Sequence, residues 1–239
     1  MKITEKIKEI QNNKYADAIT IVCIGDSVTQ GCFDCYIDKE NKIETYFNPE
    51  ASYPSLLKKK LNMIFPDMRI NVINSGISGD KAERGVQRFD NDVLKYSPDL
   101  VIIAYGLNDA SRGTDYFSIY SESIEKMIIK AQEKGIECIY LTPNFMAKYV
   151  SKTLKEPELQ AVAAEVAIVQ NYGTLEKFID EGKRIADKYG AEICDMYSIW
   201  RRLYELGVDT TMMLANKINH PNEFMQEFIA NELLRKILF

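Results

Sequence analysis

Short apolar, β-branched runs alternate along this chain with longer segments in which apolar residues recur every three or four positions. "AITIVCIGDS" opens with such a run and breaks at Gly25, which predicts a buried strand from about Ala18 to Ile24 that delivers polar residues to a turn. Comparable runs recur in "MRINVINSG", "DLVIIAYG", "IECIYLTP" and "AEICDMY", each bounded by Gly, Pro or polar residues, so five strands are expected. Between them, "YPSLLKKKLNMIF", "DKAERGVQRFDNDVLKY", "DYFSIYSESIEKMIIKAQEKG" and "LEKFIDEGKRIADKYG" carry helical spacing. Strand, helix, strand in repetition predicts a parallel sheet with right-handed crossovers.

A last helix is expected over roughly Glu223 to Leu238, started by Pro221 and Asn222, with Phe224, Phe228, Leu233 and Ile237 packing into the core. Two stretches interrupt the rhythm, "FDCYIDKENKIETYFNPEAS" and "NFMAKYVSKTLKEPELQAVAAEVAIVQNYG". Both follow the carboxyl ends of strands, where open α/β sheets bind ligands, and each reads either as a lid or as an insertion packed on the scaffold. Phe33, Tyr36, Phe47, Phe145 and Tyr149 lie in these stretches and read first as core aromatics.

Length and composition narrow the class. A chain of 239 residues fits one large domain better than two small ones, and 46% hydrophobic with 27% charged residues is the balance of a globular protein. A net charge of −5 argues against nucleic-acid and anionic-membrane partners, which call for a basic face. The charged N-terminus has no apolar signal-peptide core and no apolar run is long enough to span a bilayer, so a cytoplasmic location is expected. Five cysteines without framework spacing read as reduced thiols. Cys32 and Cys35 form a C-x-x-C, but no second pair follows and the only histidine is far away in sequence, so the pattern reads as coincidence and no metal is expected.

Chemistry concentrates where the runs end. Ser27 in "IGDSVTQG" sits where a strand-to-helix turn would present its hydroxyl beside free backbone N–H groups, although Gly-Asp-Ser alone reads first as turn and cap chemistry. "NSGISGD" and "YGLND" end the second and third strands in the same polar, Gly-rich way, and His220 in "NHPN" precedes the last helix. With these four blocks in this order, the chain resembles the GDSL esterase/lipase family, the SGNH hydrolases, from Ile21 to the final helix.

The resemblance implies one domain over 1–239, with insertions near 32–52 and 144–173, in a flavodoxin-like, three-layer α/β/α fold. Its sheet would be a doubly wound parallel one of about five strands. It further implies Ser27 as nucleophile, His220 as general base and then acid, and an oxyanion hole from Ser27, Gly79 and Asn108. No cofactor is implied. The expected partner is a small-molecule ester, acylated carbohydrates included; the oligomeric state is not readable. Asp26 and Asp109 read as structural caps or acceptors.

The chain departs from the family at one place. The aspartate usually found three residues before the histidine is replaced by Lys217, which cannot accept the imidazole N–H. Three accounts stay open: a backbone carbonyl orients His220, a carboxylate such as Asp195, Asp209 or Glu223 substitutes, or catalysis is lost and the protein is a non-catalytic ligand-binding relative.

Overall fold

The computed structural model describes residues 2–11, 13 and 17–239. Strand β1 (Ile19–Gly25) is followed by a short helix α2 (Ser27–Gln30), and helix α1 (Lys2–Gln11) precedes both. Then come β2 (Cys32–Ile37), β3 (Ile43–Phe47), α3 (Tyr53–Ile64), β4 (Ile70–Gly76), α4 (Ala82–Asp92), β5 (Leu100–Ala104), α5 (Leu107–Ala110), α6 (Phe117–Gln132) and β6 (Glu137–Leu141). The chain ends with α7 (Pro157–Asn171), α8 (Thr174–Lys188), β7 (Glu192–Cys194), α9 (Met196–Glu205) and α10 (Glu223–Leu238).

The five strands expected from the apolar runs form one parallel sheet in the order β4-β1-β5-β6-β7. Counting only these five, the order is second, first, third, fourth, fifth, which is the flavodoxin-like winding. β1 and β5 are apolar and buried almost throughout because helices cover both faces of the sheet. α1, α3 and α10 pack on one side and α4, α6 and α8 on the other, giving three layers.

Carboxyl ends of β1 and β4 meet α2 so closely that two glycines are required. A Cβ on Gly76 would lie 2.3 Å from the Gln30 nitrogen, and one on Gly25 would collide with Thr29 Oγ1 of α2 and lie 2.7 Å from the Ala104 carbonyl oxygen at the end of β5. Ile77 N–H then donates to the Gly25 carbonyl at 3.1 Å, and Ser78 N–H to Gln30 Oε1 at 2.6 Å. The loop after β4 is thereby pinned against the turn after β1.

Several features went beyond the apolar pattern. The charged N-terminus is an amphipathic helix that buries Ile3 and Ile7, with its first turn capped by the Glu137 carboxylate at 2.8 Å from the Lys2 and Ile3 nitrogens. The first interrupting stretch holds the antiparallel hairpin β2-β3, and the second holds α7. The last helix has the expected bounds, and of its expected core residues Leu233 and Ile237 are buried and Phe228 packs against the core. Met225, Gln226, Ile229, Ala230, Leu233 and Ile237 are buried, whereas Phe224 is 64% exposed. Phe33 and Phe145 are buried as core aromatics, while Tyr36 and Tyr149 are exposed. Among the described residues, no helix is long and apolar enough to cross a membrane.

Candidate active site

Ser27 is the first residue of α2, directly after the turn that ends β1. Asp26 caps this helix: its Oδ1 accepts the Val28 N–H at 2.9 Å. Burial, opposed by that bond, pushes the Asp26 carboxyl up to about 7, and the nearby Asp109 and Asp80 add to the rise. The expected structural role of Asp26 therefore holds, and its side chain serves the turn that presents Ser27.

His220 lies 193 residues away in sequence, and its Nε2 stands 2.9 Å from Ser27 Oγ. Both residues are only 4% exposed. The loop before α10 brings them together. Leu214 and Pro221 bridge its base, Ala215 N–H donates to the His220 carbonyl at 2.8 Å, and Asn222 N–H to the Met213 carbonyl at 3.0 Å. The Asn222 side chain caps α10 by accepting the Met225 N–H at 3.0 Å. Buried Gln226, one turn on, accepts the Tyr53 N–H at 2.9 Å and donates to the Val28 carbonyl at 3.2 Å. This amide ties α10, which follows His220, to α2, which carries Ser27.

The loop is built around Asn216. Its Oδ1 accepts the N–H groups of Ile218, Asn219 and His220, each at 3.0 Å. Three converging donors fix which end of the amide is oxygen, so Nδ2 is the end that faces the imidazole. Nδ2 lies 2.9 Å from His220 Nδ1, 3.0 Å from Asn219 Oδ1 and 3.6 Å from Cys35 Sγ. Cys32 Sγ approaches the same Nδ1 to 3.4 Å.

Lys217 turns away from the ring. It adopts a left-handed backbone (φ 57°), and its Nζ donates to the Leu214 carbonyl at 2.7 Å and the Met212 carbonyl at 3.3 Å. Neither of the two acceptors expected for His220 is found among the described residues. Asp195 caps α9 and pairs with Lys183 at 2.6 Å, Asp209 binds Tyr149 and the Met212 N–H, and Glu223 faces Asn48. No backbone carbonyl bonds to Nδ1 either; the ring's partners there are Asn216 and Cys32. The C-x-x-C that reads as coincidence thus has its first sulfur against the His220 ring. Sequence distance concealed this, since 188 residues separate Cys32 from His220. Among the described residues no group of three His, Cys, Asp or Glu side chains is disposed to hold a metal ion.

Gly79 and Asn108 belong to the same end of the sheet. Gly79 has φ +73° in the loop pinned beside α2, and nothing lies within 4 Å of where its Cβ would be. The Asn108 side chain donates to the carbonyl of the adjacent residue, Asp80, at 2.9 Å. Asp80 is buried and held by Arg88 at 2.8 Å and the Tyr105 hydroxyl at 3.0 Å. Asp109 Oδ1 accepts the Ala82 N–H at 3.0 Å, capping α4 across the sheet end rather than its own turn.

Burial pushes the Asp109 carboxyl up to about 7, against the Ala82 N–H that lowers it. An unfolded chain releases this proton near pH 4, so between roughly pH 4 and 7 the folded state binds more protons and stability falls as pH rises. Asp109→Asn keeps the Oδ1 acceptor and removes the titration. The melting temperature of the variant should therefore decline less than that of the wild type between pH 5 and 8; a steeper decline in the variant would reverse the assignment.

A model of the GDSL-like lipase/acylhydrolase family matches residues 23–227. An acetylxylan esterase of Geobacillus stearothermophilus is 27% identical over 137 residues, covering 53% of this chain and 60% of that protein. An arylesterase of Vibrio mimicus is 33% identical over 104 residues, covering 42% and 50%. The chain thus spans about half to three fifths of the length of these curated relatives. Among solved structures, a lipase/acylhydrolase from Enterococcus faecalis superimposes with a TM-score of 0.67 at 21% identity, over 92% of this chain and 95% of that one. The Geobacillus stearothermophilus acetylxylan esterase Axe2 gives 0.68 at 20% identity over 95% and 97%. At such identities the structural likeness is one of fold. The family model, by contrast, runs from the strand that precedes Ser27 into the helix that follows His220, and the chain belongs to the GDSL-like lipase/acylhydrolase family.

Proposed function

We propose that the protein is a serine esterase that cleaves a small or carbohydrate-linked carboxylic ester through an acyl-enzyme on Ser27. The observation that carries this reading is the 2.9 Å contact between Ser27 Oγ and His220 Nε2. A hydroxyl is a weak nucleophile until a base takes its proton, and this contact provides the base at hydrogen-bond reach. Attack of Oγ on the acyl carbon moves the hydroxyl proton to Nε2 and the carbonyl electrons onto oxygen. The imidazolium then protonates the departing alcohol, and water, activated by the same nitrogen, releases the acid.

The developing oxyanion is assigned to the Ser27 N–H, the Gly79 N–H and the Asn108 amide. Gly79 suits this role because its φ of +73° favours glycine and the space beside its Cα is open, so an acyl group can approach its backbone. One Asn108 amide hydrogen is spent on the Asp80 carbonyl, which fixes the plane of the amide and leaves its second hydrogen for substrate. Asn108→Ala should lower kcat by about 10²- to 10³-fold, as expected for loss of one preorganised oxyanion donor. An unchanged kcat would remove Asn108 from the site.

The relatives named as acetylxylan esterase and arylesterase favour a short acyl group on a sugar or aryl alcohol. Initial rates on acetyl, butyryl and octanoyl aryl esters and on acetylated xylo-oligosaccharides test this. Preference for acetyl is the expected result, and preference for octanoyl would overturn the substrate class.

A further inference from the structure

A histidine that takes a proton from serine passes through an imidazolium, and its second N–H then needs an acceptor. In this site the nearest polar group to Nδ1 is the Asn216 Nδ2, a donor whose orientation is fixed by three backbone N–H groups at the other end of the amide. It cannot accept that proton or neutralise the charge. The acceptors in reach are sulfur: Cys32 Sγ at 3.4 Å from Nδ1, and Cys35 Sγ, which itself takes an N–H from Asn216 at 3.6 Å.

Local geometry explains why two cysteines three apart serve one ring. In a regular strand such residues point to opposite faces. Here Cys32 pairs with Phe47 and Asp34 with Tyr46, so β2 advances two residues against one of β3, with Phe33 as the extra residue. That bulge restores Cys32 and Cys35 to a common face, and Asn216 stands over it from the base-bearing loop.

We propose that Cys35, as a thiolate, supplies the negative charge that an aspartate supplies elsewhere in the family, and that Cys32 relays it to the His220 imidazole. The inference rests on the Ser27 esterase reading. For Nε2 to take the serine proton, the ring must already carry its hydrogen on Nδ1, directed at the Cys32 sulfur, with the two Asn216 amide hydrogens given to Asn219 Oδ1 and Cys35 Sγ. As Ser27 loses its proton to Nε2, that Nδ1–H donates to the Cys32 sulfur while the Cys32 S–H donates to the Cys35 thiolate. No proton leaves the pair, and no bond other than the serine O–H is broken at this step. Both cysteines are positioning residues, since neither touches the ester.

Electrostatics agree with this division. The hydrogen bond from Cys32, joined against burial by donors from His220 and Asn216, pulls the Cys35 thiol down to about 5. The same bond, followed by burial, pushes Cys32 upward, so it stays protonated. Other groups facing the pair are Thr45 on β3, which lowers Cys32, and Asp26 at the head of α2, which raises it. Asp26 raises Cys32 further and so reinforces its role as the donor.

Two measurements test the proposal. The ultraviolet absorbance of thiolate, titrated in the wild type and in Cys35→Ser, should show one thiol ionising near pH 5 that the variant lacks. Cys35→Ser should lower kcat by about 10²-fold or more with KM little changed, approaching the effect known for loss of a triad carboxylate. Asn216→Asp keeps the oxygen that holds the loop and turns the amide end into an acceptor for Nδ1–H. In the Cys35→Ser background it should therefore restore most of the lost kcat. Wild-type kcat in Cys35→Ser would overturn the proposal, as would a loss that Asn216→Asp fails to restore, which marks a structural effect. A wild type that hydrolyses esters without any thiol ionising well below the usual thiol range fails this proposal alone. A wild type without Ser27-dependent turnover fails the esterase reading and this one together.

Discussion

Replacing Ser27 by alanine is expected to lower kcat on a short-chain aryl ester by about 10⁴-fold or more while leaving the fold intact. The size follows from the role proposed for this hydroxyl: without Oγ no acyl-enzyme can form, and His220 has no proton to take at 2.9 Å. What survives is binding and any stabilisation of the oxyanion by backbone N–H groups, which keeps a residual rate above that of water. The fold should survive because Ser27 starts α2 but does not cap it; Asp26 does, through the Val28 N–H. The side-chain bond of Ser27 is to the imidazole. Turnover by wild type and variant under saturating ester, with melting temperatures recorded beside it, checks both halves. Equal rates in the two proteins would remove Ser27 from the mechanism, and binding without turnover in either would favour the non-catalytic reading.

Much of this site was legible in the chain because parallel strands place their carboxyl ends at one edge of a sheet. Three apolar runs ending in polar, Gly-rich turns place Ser27, Gly79 and Asn108 at one end of the sheet, and the His220 block lies against Ser27. The strands themselves were readable for a simple reason: a sheet covered on both faces needs continuous apolar runs. The last helix illustrates where pattern reading slips. Phe224 reads as an anchor but is exposed, and beside the expected Leu233 and Ile237 the helix buries Met225 and Gln226, whose amide joins α10 to Tyr53 and Val28.

What oriented His220 could not be read in the same way. A D-x-x-H pattern directs attention to the residue three before the histidine, which is Lys217, whereas the side chain beside the ring belongs to Asn216, four before it. The left-handed backbone at Lys217 lies between them, and no periodicity signals such a turn at a lysine. The cysteines were hidden twice over, by their sequence distance from the histidine and by a bulge that a strand pattern of period two does not reveal. Their odd spacing is informative only once the hairpin is known to fold back over the end of the sheet beside His220.

Asn216→Ala should produce the second large effect, and on stability as well as rate. The Asn216 carbonyl oxygen satisfies three backbone N–H groups, of which those of Ile218 and His220 belong to buried residues. Unmet buried donors cost about 1 kcal/mol each at the low end, so a loss of about 2 kcal/mol or more is expected from denaturant unfolding. Catalysis should fall as well, since the truncated loop no longer holds the imidazole at Ser27 and Cys35 loses one of its donors. Asn216→Asp separates the two effects, for it keeps the three backbone bonds and should unfold within about 1 kcal/mol of the wild type. If both substitutions destabilised equally, the oxygen of Asn216 would not be what organises the loop. If Asn216→Ala unfolded like the wild type yet lost activity, its side chain would matter through the ring alone. The expected order, alanine far below aspartate in stability, follows from counting which end of one amide carries the backbone and which end faces the base.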